Sequence, residues 1–337
     1  MEDIKPLKTP EEIRKIIQVE CNLEEFPYFR LSDKKAKSLA EIHFNRTIKT
    51  LEGILLEQTL AIKAPGNSGL PGPFDQDVLI AIQEQINTKG LNNEKYLHFS
   101  LYKLIEIMKK NHSGWNYQAV KESIKRMVGT TIVSENAFYN KGIKKHLTDI
   151  LHLFERAIFY DECKRKGLQP EFEFNVLTLS EWFLANLKAH YTKPLDINFY
   201  YNLNLPTARR LYRWLDKKRY GDKKSFYVDL PELALTMPLS ERYPSDIRRA
   251  LEPAHQELLQ KKFLKKVDYE KEKKTKQWRV VYHFSPKVIF MGNMTQPQFQ
   301  IGLDQPRWQS PPTHIQEEIK SLIQKLGEKE EKLKSET

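Results

Sequence analysis

Residues 205–284 constrain the fold of this chain more than any other stretch. They open LPTARRLYRWLDKKRY, pass through SFYVDLPELALTM, reach SDIRRALEPAHQELLQKKFL and close on KKVDYEKEKKTKQWRVVYHFS. By apolar period these segments predict a helix, a short strand, a short helix, a longer helix and two strands joined by a lysine-rich turn. That order is the order of a winged helix-turn-helix. In the longer helix Ile247, Leu251, Ala254 and Leu258 recur at spacings of four, three and four, so they share one side and pack inward. The opposite side carries Arg248, Arg249, Glu252 and Gln256. Ser245 stands just before the periodic run as an N-cap and places the arginines in the first turn. Arginine reads guanine bidentately, glutamine reads adenine, and a glutamate accepts from cytosine. A charged face alone is more often a solvated helix surface. What favours DNA is the turn, where Lys271, Lys273, Lys274 and Lys276 stand where a wing meets phosphate.

The same pattern occurs earlier. Val78, Leu79, Ile82 and Ile86 form the inward side of a helix over residues 74–87; YLHFS reads as a strand, LYKLIEIMKK as a helix and YQAVKESIKRMV as a second helix leading to the strand TTIVSE. Val120, Ile124 and Met127 make the buried side of that second helix, which leaves Gln118, Lys121, Glu122 and Lys125 facing out. Beside SFYVDLPELALTM, the run YLHFSLYKLIEIM shows the same succession, so the chain reads as a degenerate internal repeat. ILHLFERAIFYDE and EFEFNVLTLS are expected to complete the first sheet, with CKRKGLQP as their hairpin. Upstream, PEEIRKIIQVE predicts a short amphipathic helix with Ile13, Ile16 and Ile17 on one side, and YFRLS, IHFNRTIKTL and GILLEQTLAIK predict strands. TKPLDINFYYNLNLP, bracketed by Pro194 and Pro206, predicts a defined linker.

Several chemistries find no residues. APGNSGLPGP lacks the GK[ST] ending of a phosphate-binding loop, so its glycines are expected to make turns. Asp75 and Asp77 are better explained by N-capping and the helix dipole than by a metal pair. No His-x-His pair, GxSxG elbow or HExxH occurs among the scattered histidines, and Cys21 and Cys163 fit neither a zinc spacing nor a disulfide framework. The expectation is a non-enzymatic protein with no cofactor and no metal. The sequence shows no signal peptide and no apolar run long enough to span a membrane, so the expected compartment is the cytoplasm. A net charge of +11 over 337 residues favours a polyanionic partner.

At ARRLYRWLDKK, the strand SFYVDL, the helix PELAL and IRRALEPAHQELLQKKFL, and in the pattern LDxNxYxxL that precedes them, the sequence resembles the replication initiator protein A family of plasmid-encoded initiators. The likeness extends more loosely over LPGPFDQDVLIAI, HFSLYKL and YQAVKESIKRMVGTTIV. The resemblance implies an α+β chain of two tandem winged helix-turn-helix domains with small antiparallel sheets. It would bind repeated double-stranded sites at a plasmid origin and help host replication proteins, such as an initiator or helicase, to load. A transcriptional repressor of the same fold, including one acting on its own promoter, is the alternative; a protein-interaction scaffold is a third. The expected division is an N-terminal arm (1–25), a first winged-helix domain (26–191), a second (192–290) and an irregular linker with a C-terminal amphipathic helix (291–337). The amphipathic ends are candidate surfaces for a homodimer. By position, the DNA-contacting set is Gln118, Lys121, Glu122 and Lys125 on the first recognition helix; Arg209, Arg210 and Arg213 on the first helix of the second unit, for phosphate contact or salt bridges; Ser245, Arg248, Arg249, Glu252 and Gln256 on the second recognition helix; and the four wing lysines. Pro253, inside that helix, removes one hydrogen bond and is expected to bend it.

Overall fold

The two segments that share a period also share a sheet topology. In the computed structural model, which describes residues 15–32, 40–49, 53–91, 95–160, 175–221 and 223–286, the chain begins with strand β1 (Ile16–Glu20) and a short helix α1 (Cys21–Glu25). Strands β2 (Glu41–Lys49) and β3 (Leu55–Lys63) pair antiparallel and lead to helix α2 (Pro73–Lys89). Then come β4 (Tyr96–Phe99), α3 (Leu101–Ile107), α4 (Gly114–Gly129), and strands β5 (Thr131–Asn140), β6 (Lys145–His152), β7 (Phe154–Ile158) and β8 (Asn175–Leu179). Helix α5 (Glu181–Lys188), strand β9 (Thr192–Asp196) and helix α6 (Ile197–Tyr201) lead into the second unit: α7 (Pro206–Lys218), β10 (Ser225–Asp229), α8 (Leu230–Thr236), α9 (Pro244–Gln260), β11 (Leu264–Lys271) and β12 (Trp278–Phe284).

In the second unit the sheet order is β10-β12-β11, and in the first it is β4-β8-β7. In both, the strand between the first two helices pairs with the last strand, so each unit is a winged helix with its own three helices and three strands. The first differs by an insertion. Between α4 and β7 the hairpin β5–β6 leaves the winged-helix sheet and pairs with β2 and β3 in the order β2-β3-β5-β6. ILHLFERAIFYDE, expected as one strand, therefore divides at Leu153 between two sheets. The hairpin expected at CKRKGLQP and the amphipathic helix expected after residue 312 lie outside the described residues.

The predicted stripes form the core. Val120, Ile124 and Met127 of α4, and Ile247, Leu251, Ala254 and Leu258 of α9, are all buried. A fully buried side chain of the Val, Leu, Ile or Met type contributes about 1.5–3 kcal/mol relative to exposure. Gly66 and Gly69 in the Gly/Pro loop have φ of 52° and 70°, left-handed values that glycine adopts without strain.

Two local expectations are corrected. The segment expected as an N-terminal helix is strand where it is described: Ile17 and Val19 are buried while Ile16 is exposed, an alternation of period two, and β1 pairs antiparallel with β9 from Ile16↔Asp196 to Glu20↔Thr192. Ile13 lies outside the described residues. YFRLS is not a strand; Tyr28 and Phe29 are buried in irregular chain, and Arg30 N–H donates to the Pro71 carbonyl at 2.9 Å. The linker bracketed by Pro194 and Pro206 contains β9 and α6, and its Tyr200 and Tyr201 hydroxyls donate to the Asp77 carboxylate and carbonyl at 2.8 and 2.9 Å. Paired backbone and buried tyrosines make this connection part of the core, and β1–β9 pairing crosses the boundary expected at 191.

A buried ionic joint lies beside that pairing. Arg213 and Glu24 are both fully buried; Arg213 Nε donates to Glu24 Oε1 at 2.8 Å and Nη2 reaches the same oxygen. Arg210 donates to the Glu24 and Glu25 carbonyls at 2.9 and 3.1 Å, at the C-terminal end of α1, where a cation is favoured. Glu25 takes Arg46, Lys217 and Lys218 at 2.7, 2.9 and 2.7 Å. Burial alone would raise both carboxyls, but the facing cations prevail: Arg213, Lys193 and Arg210 hold Glu24 below the usual carboxylate range, and Lys217, Lys218 and Arg46 hold Glu25 well below it.

Candidate nucleic-acid interface

The solvent face of α9 carries the expected residues. Ser245, Arg248, Arg249, Glu252 and Gln256 are exposed, opposite the buried side of Ile247, Leu251, Ala254 and Leu258. They are already organised. The Arg249 side chain is 81% exposed and donates to Asp246 at 2.7 Å, and the Gln256 amide donates to Glu252 at 2.6 Å. Arg248 leans off this row towards the wing: its guanidinium lies 4.2 Å from the Tyr269 ring centroid and 5.6 Å from that of Trp278. Recognition helix and wing are thus tied by a cation–π contact that involves two strands.

The wing itself is a hairpin in register from Tyr269↔Val280 to Lys271↔Trp278. Lys271, Lys273, Lys274 and Lys276 are exposed along and beyond its tip, with Lys271 5.1 Å from the Trp278 ring and Lys276 in the left-handed region at φ 58°. Behind the wing, His255 is buried between the Tyr282 and Tyr269 hydroxyls at 3.0 and 3.1 Å, and burial pushes its imidazole down to about 4. It is therefore neutral at pH 7 and supports the wing without charging it.

Sequence had Ser245 capping α9. The helix instead starts two residues earlier, with Tyr243 at the cap position and Pro244 in the first turn, where the proline's missing N–H costs nothing. Ser245 thereby becomes an exposed first-turn residue on the same solvent face. Helix α9 continues through Pro253, which is exposed on the outer side.

On α4 the outward placement of Gln118, Glu122 and Lys125 agrees with the structure, and these three form one chain: the Gln118 amide and Lys125 ammonium both donate to Glu122 Oε1, at 2.8 and 3.0 Å. Lys121 is corrected. It is 2% exposed, on the flank of the helix that faces β7, with its ammonium 5.9 Å from the Phe159 ring. Its aliphatic stem is long enough to lie along apolar surface, which a helical-wheel reading of charge does not foresee.

The three arginines of α7 are corrected as well. Arg209 donates to Asp77 at 2.6 Å and to the Leu203 carbonyl at 2.8 Å; Arg210 and Arg213 are buried against α1 as described above. The carboxylate partners of Arg209 and Arg213 lie 132 and 189 residues away in sequence, so no local signal marks these arginines as internal. Of the two offices foreseen for these arginines, Arg209 and Arg213 fill the salt bridge, and Arg210 donates to backbone carbonyls instead. Asp75, likewise, accepts from the Gly72 N–H and receives Arg126 at 2.6 and 2.7 Å, and with Asp77 engaged by Arg209 and Tyr200 the two carboxylates serve structure separately.

A family model described as replication initiator protein A matches residues 19–257, which run from β1 into α9 and include both helix-turn-helix units. The chain belongs to the replication initiator protein A family. Among curated proteins it is similar to the "Putative replication protein" of Wigglesworthia glossinidia brevipalpis, 27% identical over 175 residues. That match takes in 51% of this chain and 61% of the relative, so the chain spans less than two thirds of that protein's length. Among solved structures it is similar to domains 2 and 3 of RctB, at 13% identity and a TM-score of 0.49 over 79% of this chain and 98% of that one. It is also similar to the Pi initiator protein in complex with iteron DNA, at 16% identity and a TM-score of 0.43 over 63% and 91%. The family match ends before the wing. There the sequence reading found the lysines but missed Tyr269, Trp278 and Arg279. Arg279, on the inner part of the wing, pairs with Glu272 at 2.7 Å and lies 4.8 Å from the Tyr227 ring. Aromatic residues flanking a lysine-rich turn on both strands were the signal that could have indicated an anchored wing.

Proposed function

We propose that this protein initiates replication by binding repeated double-stranded DNA sites at an origin through both winged helices. The observation that carries the reading is the pair of matched recognition helices: α4 and α9 stand at the same place in the same sheet topology, and each turns a row of amide, carboxylate and cationic groups outward. Such a helix lies in the major groove and reads base edges, while wing lysines position the protein on the backbone. Two modules on one rigid connection gain affinity when their spacing matches that of the half-sites. Family membership supports the replication context. Opening of the origin and loading of host replication proteins in the cytoplasm belong to the proposal on that ground alone, and on this reading the chain acts by binding, without catalysis.

The test is a footprint of the purified full chain on the DNA flanking its own gene, read beside the replication of a plasmid carrying that gene and those flanks. Protection of repeated sites, with replication lost when the repeats are scrambled, is the expected result. Protection of a promoter with replication intact in the absence of the protein would replace the initiator by a repressor. No protection at any salt concentration would end the DNA reading.

A further inference from the structure

Trp115 is 73% exposed on the first recognition helix, and no role in the reading above uses it. Its place is defined by the core. When the buried positions of the two recognition helices are matched, Asn116 with Ile247, Val120 with Leu251, Ser123 with Ala254 and Met127 with Leu258, Gln118 falls on Arg249 and Trp115 falls on Asp246. In α9 that pair is the ion pair that holds Arg249; in α4 an indole and an amide stand in its place. Trp115, Gln118, Glu122 and Lys125 occur at spacings of three, four and three, all exposed, so the indole heads the same row as the polar reading groups. It is also held in position: its ring meets Phe74 edge to face at 6.2 Å, and Lys110 lies 5.4 Å from the other partner of that contact, the Phe74 ring.

An indole offers the major groove one N–H donor and a broad apolar face, with no acceptor. The groove presents one apolar group, the C5 methyl of thymine, and the adenine opposite it is the base that a glutamine amide reads through N6 and N7. Trp115 and Gln118 together therefore match the two edges of an A·T pair or of neighbouring A·T pairs, whereas Arg249 in the equivalent row of α9 matches guanine. We propose that Trp115 contacts thymine methyl groups and that the half-site read by α4 is specified as A·T while the half-site read by α9 carries guanine. This rests on the DNA-binding reading above and adds to it an asymmetry between half-sites.

The experiment uses the full chain and a duplex that the wild-type protein enriches from a random-sequence pool, with thymines replaced one at a time by deoxyuridine, which lacks only the methyl. Affinities are measured for wild type, Trp115→Ala and Trp115→Phe, whose folding is checked by circular dichroism and urea midpoint. Expected for wild type is a loss of about fourfold per methyl at one or two thymines of one half-site, the worth of one buried methyl group. Trp115→Ala should bind the unmodified duplex more weakly and be indifferent to the same replacements, and Trp115→Phe should retain part of the sensitivity. A methyl dependence that persists in full in Trp115→Ala, or wild-type affinity of Trp115→Ala for the unmodified duplex, overturns the assignment while leaving DNA binding standing. Failure of the wild-type chain to enrich any sequence overturns the DNA reading itself, and this proposal with it.

Discussion

Replacing Arg213 by methionine separates the role the sequence suggested from the one the structure gives. As a phosphate contact, Arg213→Met would leave the fold intact and weaken binding. In the structure Arg213 and Glu24 are both 0% exposed, and the substitution strands a buried carboxylate whose next cation, Lys193, lies 3.9 Å from Oε2. Breaking one side of a buried pair costs about 3–5 kcal/mol, a large share of the ~5–15 kcal/mol by which domains are stable. At a urea slope of about 1–3 kcal/mol per molar, the denaturation midpoint should fall by more than about 1 M. Adding Glu24→Leu to Arg213→Met removes the stranded charge, so the double variant should recover part of the loss and not add to it. Affinity for an origin duplex, expressed per folded molecule, should stay within about twofold of wild type, since a side chain with no exposed surface contributes no phosphate contact of its own. An unchanged urea midpoint together with a tenfold loss of affinity would refute the burial argument and return Arg213 to the DNA surface.

Arg249→Ala should cost about 1–3 kcal/mol in specific binding and relax discrimination at one position, whereas Lys274→Ala should weaken all sequences alike and lower the slope of log affinity against log salt by about one; equal losses on cognate and random DNA for both variants would remove the division between reading helix and wing. Lys121→Met should leave DNA affinity and its salt slope unchanged, which titration of an origin duplex at two salt concentrations checks. The pH dependence of stability should show Glu20. Burial raises its carboxyl to about 7 against the donors Leu23 N–H, Asn22 and Asn186, so its contribution is fully present below about 4.5 and is lost as pH rises through 7, by about 3 kcal/mol in all. Glu24 and Glu25, held low, act in the opposite direction: their contribution is present above about 4.5 and is lost on acidification. Urea midpoints should therefore be highest between these limits, and Glu20→Gln should abolish the decline from pH 6 to pH 8, whatever it does to the midpoint itself.

Both winged helices were legible because their signals are local. Leu251 and Val120 belong to stripes that repeat within a single helix, and the order of helix, strand, helix and helix is written consecutively twice. The wing lysines were legible for the same reason. What escaped reading depends on partners distant in sequence. Ile17 and Val19 alternate over too few residues to distinguish strand from helix until β9 is known to lie beside them. Arg210 and Arg213 look like an exposed basic face until α1 supplies Glu24 and three carbonyls. Lys121 was misplaced by its charge, Ser245 by a serine cap signal that the preceding proline outweighed. The β5–β6 insertion had no marker, since TTIVSE reads equally well as a strand of either sheet.

The pairing of β1 with β9 has a consequence for how the chain comes into being. Ile16 is translated some 180 residues before its partner Asp196, and Glu24 some 190 before Arg213. At roughly 5–20 residues per second the first strand waits about ten to forty seconds for the second. During that interval the first winged helix can collapse around α2 and α4 and β1 can dock on α2, where the Gln18 and Glu20 N–H groups donate to Asn87 and Gln83, but the strand still lacks β9 and Glu24 still lacks Arg213. The N-terminal segment is thus made first and completed last, and the second unit's opening helix supplies the cations that its buried carboxylates await.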